Sequence, residues 1–277
     1  MEHTVAINKD TLGIVEIIAK RAGEAIMAVY EKEDFGVETK SDNSPLTEAD
    51  LAAHRVIEAA LLEAFPDIPV LSEESGDVSY EQRKDWRCFW MVDPLDGTKE
   101  FVKRNGEFTV NIALIDQGVP VLGVVYVPVT GVSYFSWSGG GCWRIGGDQK
   151  PGQVAEQVRV RQLPAGGELA VVCSRSHRGD RLESLLQRLG NYRAVPTGSS
   201  LKLCLVAEGS ADFYPRLGPT SEWDTAAAHA LVLEAGGVVV DLQLQPLLYN
   251  QKESLLNPEF LVLPELNPEW LPSFEGL

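Results

Sequence analysis

The chain is poor in cysteine, in histidine and in positive charge, and no long apolar run interrupts it. Its 277 residues hold 4 cysteines and 4 histidines. Cys88, Cys142, Cys173 and Cys204 are scattered, with no pair at metal-ligand spacing. That excludes a cysteine-based zinc site and a disulfide framework, and implies reduced structural thiols in a reducing compartment. No stretch approaches the ~18 apolar residues of a membrane span, and the start of the chain, with Glu2, lacks the apolar segment of a signal peptide. A cytoplasmic protein without a transmembrane segment is expected. Lys and Arg number 24 against 40 Asp and Glu, a net charge of −16. This argues against nonspecific binding to nucleic acid or anionic lipid, and means that an anionic substrate would need a local cation or helix end to hold it. Internal repeats and low-complexity tracts are absent too. With 44% hydrophobic and 23% charged residues the composition is that of an ordinary globular protein. At roughly 150 residues per domain, the length suits one large domain or two medium ones.

What the chain does have is a concentrated motif, Cys88-Phe89-Trp90-Met91-Val92-Asp93-Pro94-Leu95-Asp96-Gly97-Thr98. The apolar run reads as a buried strand, and Pro94 is expected to stop it, leaving Asp93 at the strand's end. Gly97 permits backbone geometry that a side chain would block, and Thr98-Lys99-Glu100-Phe101-Val102 can start a helix whose amides would face an anion. The three-residue separation of Asp93 and Asp96 differs from the two-residue spacing of phosphatases that form an aspartyl-phosphate. A calcium loop would need acidic or amide groups at alternating positions and a later glutamate, which this segment lacks. Hard-metal chemistry with an open coordination position remains.

The surroundings supply further carboxylates. Helical periodicity marks a first helix over 11–30 and a second after Thr47, a plausible N-cap, which places Asp50 in the first turn. A short strand at 68–71 ends in Ser72-Glu73-Glu74. A β-meander follows at 109–115, 119–127 and 132–137, then a Gly/polar stretch at 146–152 that serves as a loop or soft boundary. The second half alternates: strands at 169–173, 192–195, 211–214 and 238–242, helices at 181–189, 201–208 and 225–235. Glu73, the Asp93/Asp96 pair and Asp224 thus all lie at element ends. They could cage two metal ions, a pair suited to stabilising the attacking and leaving oxygens of a phosphoryl transfer. Each also has a plainer reading: Asp224 as an N-cap, Glu73 and Glu74 as solvated loop charges. Asp93 resists one, because a carboxylate ending an apolar strand is costly without compensation. His54 and His229 fall inside helices and read as packed or surface histidines.

Taken in order, Ser72-Glu73-Glu74-Ser75, Asp93-Pro94-Leu95-Asp96-Gly97-Thr98 and Trp223-Asp224-Thr225-Ala226-Ala227 resemble the inositol-monophosphatase superfamily of lithium-sensitive, Mg²⁺-dependent phosphatases. The likeness runs from the first helix to the C-terminal strands. The stretch from Thr98 to Asn111, with Cys173-Ser174-Arg175-Ser176-His177, Gly198-Ser199-Ser200-Leu201-Lys202 and Tyr214-Pro215-Arg216, is similar to its CysQ-type 3'(2'),5'-bisphosphate nucleotidase branch. The resemblance implies an α/β protein of the sugar-phosphatase fold, a layered αβαβα sandwich. It would have an α+β metal-binding half (1–150), an α/β substrate-binding half (151–277) and the active site at their junction.

It also implies a mechanism with two or three Mg²⁺ ions. Glu73, Asp93 and the Leu95 carbonyl would hold one ion, and Asp93, Asp96 and Asp224 a second. A metal-activated water would be helped by Glu73 and by Thr98, itself oriented by Asp50. The amides of Gly97 and Thr98 would cradle the scissile phosphate within a site formed by Glu73, Leu95, Asp96, Gly97, Thr98 and Asp224. Arg175, His177, Lys202 and Arg216 would face the second phosphate or the base. The implied reaction converts 3'-phosphoadenosine 5'-phosphate to AMP and phosphate, within sulfur metabolism. It is compatible with peripheral association at the cytoplasmic face of the inner membrane. The rivals are inositol monophosphate or fructose-1,6-bisphosphate as substrate on the same fold, and a metal-dependent nucleotide sensor without turnover.

Overall fold

The computed structural model describes residues 7–32, 37–39, 45–76, 78–147, 154–162, 167–173, 180–266 and 274. Two helices come first, α1 (Lys9–Tyr30) and α2 (Glu48–Ala64), separated by the short antiparallel pair β1 (Val37–Thr39) and β2 (Pro45–Thr47). In α1 the buried residues Leu12, Val15, Ile18, Ala19, Ala22, Ile26 and Val29 follow one another at helical steps, one stripe of a helix. Asn8 caps it, its Oδ1 accepting from the amides of Asp10 and Thr11 at 3.0 Å each. Thr47 and Asp50 form a reciprocal capping box at the start of α2.

The central sheet follows: β3 (Val70–Ser72), the helical turn α3 (Tyr80–Arg83), β4 (Cys88–Asp96), α4 (Thr98–Val102), β5 (Thr109–Asp116), β6 (Val119–Val127), β7 (Val132–Trp137), β8 (Gly141–Ile145) and β9 (Glu156–Val158). These seven strands lie in sequence order, β3 and β4 parallel and the rest antiparallel. Period-two alternation sends Trp90 and Val92 of β4 toward α1 and α2, and Phe89 and Met91 toward the opposite layer.

That opposite layer is built by α6 (Leu201–Ala207) and α7 (Glu222–Glu234), introduced in the second half together with β10 (Leu169–Cys173), α5 (Asp180–Leu189), β11 (Tyr192–Pro196), β12 (Tyr214–Arg216), β13 (Val238–Asp241) and β14 (Phe260–Leu263). A Cβ on Gly123 of β6 would overlap the Ala227 carbonyl oxygen, so glycine there and the alanines of α7 let helix and sheet meet backbone to backbone. Beyond α6 and α7 lie the parallel pair β10–β11 and the antiparallel sheet β12–β14–β13. Their outer face is covered by Leu182, Leu185 and Leu186 of α5. The order of layers is helix, sheet, helix, sheet, helix, as the resemblance implies. No helix among the described residues is long and apolar enough to cross a membrane. None of the four cysteines forms a disulfide among the described residues.

Three local expectations need correction. Pro94 does not end its strand: β4 runs on to Asp96, with a register shift between Asp93, opposite Asn111, and Asp96, opposite Thr109. The extra residue makes a bulge, and a proline in a bulge has no ladder hydrogen bond to lose. Asp224 is not a helix N-cap either. Ser221 caps α7, which starts at Glu222, three residues before the expected start, and Asp224 sits in the first turn as the box partner of Ser221. Finally, the strand expected at 211–214 lies at Tyr214–Arg216, and β8, β9 and β14 fall outside the expected elements; β8 begins within a Gly-Gly-Gly run and β9 has three residues with no buried face.

Candidate active site

The bulge in β4 determines where the first acids point. Asp93 is 1% exposed and its Oδ1 accepts from the Leu95 amide at 3.0 Å. Burial pushes its carboxyl well above the usual aspartate range, and the charges that add most to this are Glu73, Asp96, Asp224 and Asp50, all negative. Asp96, at the end of β4, is partly buried and accepts from the Ser200 amide at the start of α6. Burial raises its pKa to about 6, against the pull of the Lys202 ammonium and the Ser200 hydrogen bond. Asp224 accepts from the Ser221 amide at 2.9 Å, and burial followed by the charge of Asp96 pushes it to about 8. Glu73 follows β3, its amide bonded to the Val92 carbonyl at 3.0 Å, which ties the end of β3 beside Asp93.

Thr98 begins α4 after Gly97, which takes a left-handed backbone (φ 94°). A side chain at Gly97 would also come within 3.0 Å of the Glu107 carbonyl oxygen and 3.3 Å of Ser199 Cβ. The Thr98 hydroxyl has two acceptors, Asp50 Oδ1 at 3.3 Å and the Leu95 carbonyl at 3.4 Å. Asp50 is buried, and its other oxygen is held by the Thr47 amide (2.7 Å) and hydroxyl (2.6 Å). The helix cap read from sequence therefore also orients the carboxylate that orients Thr98.

Positive charge borders this cluster from the second half. Lys202 donates to the Ser199 carbonyl at 2.7 Å and lies over the Tyr214 ring at 5.8 Å. Burial lowers its pKa, opposed by Asp96. Arg216 is tied to the carbonyls of Gly218 (3.2 Å) and Pro219 (2.6 Å) and lowers the pKa of Asp224. Arg175 and His177 lie outside the described residues. His54 and His229 are packing residues, bonded to Ser72 Oγ (3.0 Å) and Tyr249 Oη (2.9 Å).

Sequence reasoning missed the role of Ser200. Its hydroxyl meets Thr109 Oγ1 and Asn111 Oδ1, both at 2.9 Å, so its bonds join both strands of the bulge to α6. The Gly-Ser-Ser-Leu-Lys segment was the available signal, but which atoms it would bond depends on pairing over about a hundred residues of chain.

The donors are all oxygens, the set preferred by a hard divalent cation. Like charges buried together this way are stable only when protonated or neutralised. Among the described residues no three acidic, histidine or cysteine side chains already converge as a closed ligand set. Asp93, Asp96 and Asp224 each accept from a backbone amide. The residues fit a metal that would pull them together.

Residues 8–273 match the inositol monophosphatase family. The chain is 53% identical to a 3'(2'),5'-bisphosphate nucleotidase CysQ of Escherichia coli over 246 residues, 88% of this chain and 96% of that one. It is 36% identical to the corresponding Haemophilus influenzae protein over 98% of this chain and 99% of the other. Among solved structures, CysQ from Bacteroides thetaiotaomicron superposes with a TM-score of 0.79 at 43% identity, covering 92% of this chain and 97% of that one.

Proposed function

The chain belongs to the inositol monophosphatase family, and from that premise we propose that it is a divalent-metal-dependent 3'(2'),5'-bisphosphate nucleotidase that hydrolyses 3'-phosphoadenosine 5'-phosphate to AMP and phosphate. The observation that carries the chemistry is Asp93, 1% exposed and ringed by other carboxylates. The substrate class rests on the relatives of that name, which align over most of their own length.

Glu73, Asp93, the Leu95 carbonyl, Asp96 and Asp224 would hold the metal, with Mg²⁺ as the ion and Asp93 shared between two sites. When bound, the cations would neutralise the carboxylates, polarise phosphate oxygens and activate water. The chain's own groups have three tasks. Thr98 presents an oxygen whose proton is directed to Asp50, so its lone pairs can accept a hydrogen from the attacking water. Asp50 keeps that orientation because Thr47 holds its second oxygen. Thr98 would thereby orient the water, and Glu73 would be the group that takes its proton. Gly97 and Thr98 would bind the scissile phosphate, and Lys202 and Arg216, with Arg175 and His177, the rest of the nucleotide. A small-molecule phosphate ester suits these positions, and the net charge of −16 makes local cations the means of capture.

The test is phosphate release from 3'-phosphoadenosine 5'-phosphate, inositol 1-phosphate and fructose 1,6-bisphosphate side by side, with and without Mg²⁺ and Li⁺. The nucleotide should be hydrolysed fastest, only with Mg²⁺, and Li⁺ should inhibit. Preference for a sugar phosphate, or nucleotide binding without phosphate release, would refute the proposal.

A further inference from the structure

Asp224 owes its position to a segment distant in sequence, residues 249–257, which wraps the first turn of α7. Leu256 pairs with Ser221 in an antiparallel bridge, and on either side the Glu222 amide donates to the Leu255 carbonyl (2.7 Å) and the Asn257 amide to the Thr220 carbonyl (2.8 Å). Side chains then lock the turn from both ends of the segment. At one end, Asn257 Nδ2 donates to the Ser221 carbonyl at 2.8 Å and lies 3.1 Å from Thr225 Oγ1. At the other, Glu222 Oε2 accepts from the Asn250 amide at 2.7 Å, and Asn250 Nδ2 donates to the buried Arg83 carbonyl at 2.7 Å while Arg83 Nη1 donates back to Asn250 Oδ1.

Two features indicate that this strap does more than pack. Asn257 Oδ1 is buried with no hydrogen-bond partner among the described residues, so the side chain is kept at a cost, and what it contributes is its donors. Those donors act on the peptide of Ser221, the same residue whose amide holds Asp224 Oδ2. Fixing Ser221 fixes one oxygen of Asp224 and thereby the direction of the other.

We propose that Asn257 is a positioning residue for the metal ligand Asp224, acting through the Ser221 cap, with Arg83, Asn250 and Glu222 as its anchor on the far side of the turn. The inference rests on the assignment of Asp224 as a metal ligand. Groups that orient a ligand from behind typically change metal affinity about 10- to 100-fold when removed.

The test is Mn²⁺ affinity, measured by calorimetry on the full chain without substrate, for the wild type, Asn257→Ala, Asp224→Asn and the double variant. Asn257→Ala should weaken binding by about tenfold. In the Asp224→Asn background the same change should weaken it by less than about twofold, because there is no longer an oriented ligand to lose. Thr225→Val, nearly isosteric, removes one partner of Asn257 and should weaken binding in the same direction by about two- to threefold, which decides the matter if Asn257→Ala does not fold. Wild-type Mn²⁺ affinity in Thr225→Val and Asn257→Ala, or equal losses with and without Asp224, would overturn the positioning role alone. Wild-type affinity in Asp224→Asn would overturn the metal assignment and this inference with it.

Discussion

Asp93 and Glu222 are equally hidden from water, each 1% exposed, yet their surroundings are opposite in sign. Glu222 accepts from the Asn250 amide, has the Lys252 ammonium 3.5 Å away and is further favoured by Arg83, so only its burial pushes its pKa up. Asp212, 0% exposed, is still better provided, with the Arg161 guanidinium forked onto it and the Ala170 amide at 2.6 Å. Around Asp93 the strongest neighbouring charges are carboxylates. Burial of an acid alone therefore does not mark a site. An acid buried among acids does, because folding has left a deficit that something from solution must fill.

The contrast breaks most visibly in turnover. Asp93→Asn removes the carboxylate proposed to be shared between the metal sites and should cost several kcal/mol of transition-state stabilisation, about a thousandfold or more in kcat/KM, measured by phosphate release at saturating Mg²⁺. Next in size is Thr98→Ala, which should lower kcat by about a hundredfold while leaving Mn²⁺ affinity within a few-fold of wild type. An equal loss of metal affinity would make the hydroxyl structural. Asp212→Asn sharpens the other side: it should leave kcat unchanged and destabilise the fold by about 2 kcal/mol in denaturant titration, since it strands Arg161.

The smallest effect is a slope. Asp96 and Asp224, with pKa values of about 6 and about 8, hold protons in the folded protein that an unfolded chain releases near pH ~4. The folded state binds more protons between those values, so the contribution of these two groups to the stability of the metal-free protein is largest below pH ~4 and is lost as pH rises through about 6 and about 8. Mg²⁺ should flatten the decline, and a chelated protein whose melting temperature rises with pH over this range would contradict it.

The parts of the site that depend on local chemistry are legible in the sequence alone. The Thr47 cap with Asp50 three residues on, Gly97 before a helix and Asp93 after an apolar run are each contained in a few residues. What escapes a sequence reading depends on distant pairing. Pro94 looks like a terminator because the β5 partner that accommodates a bulge lies beyond the motif. The Gly-Ser-Ser-Leu-Lys segment marks Ser200 without showing its partners, and Asn257 gives no signal, because one bonds across 104 residues to Asp96 and the other across 36 to Ser221. Asp224 has two roles of which local sequence shows neither separately: it bonds back to the Ser221 amide and it stands in the field of the other acids, whereas the chain itself shows only a polar residue near a helix start.

The most direct test of the central claim is the melting temperature of wild type and Asp93→Asn at pH ~8, near the raised pKa of Asp224, each with chelator and with Mg²⁺. If the cluster is a charge deficit that metal fills, the variant melts above wild type in chelator, and Mg²⁺ raises the wild type much more than the variant. A variant that melts below wild type in chelator and gains as much from Mg²⁺ would show that Asp93 is a structural carboxylate like Asp212, and the account would fail.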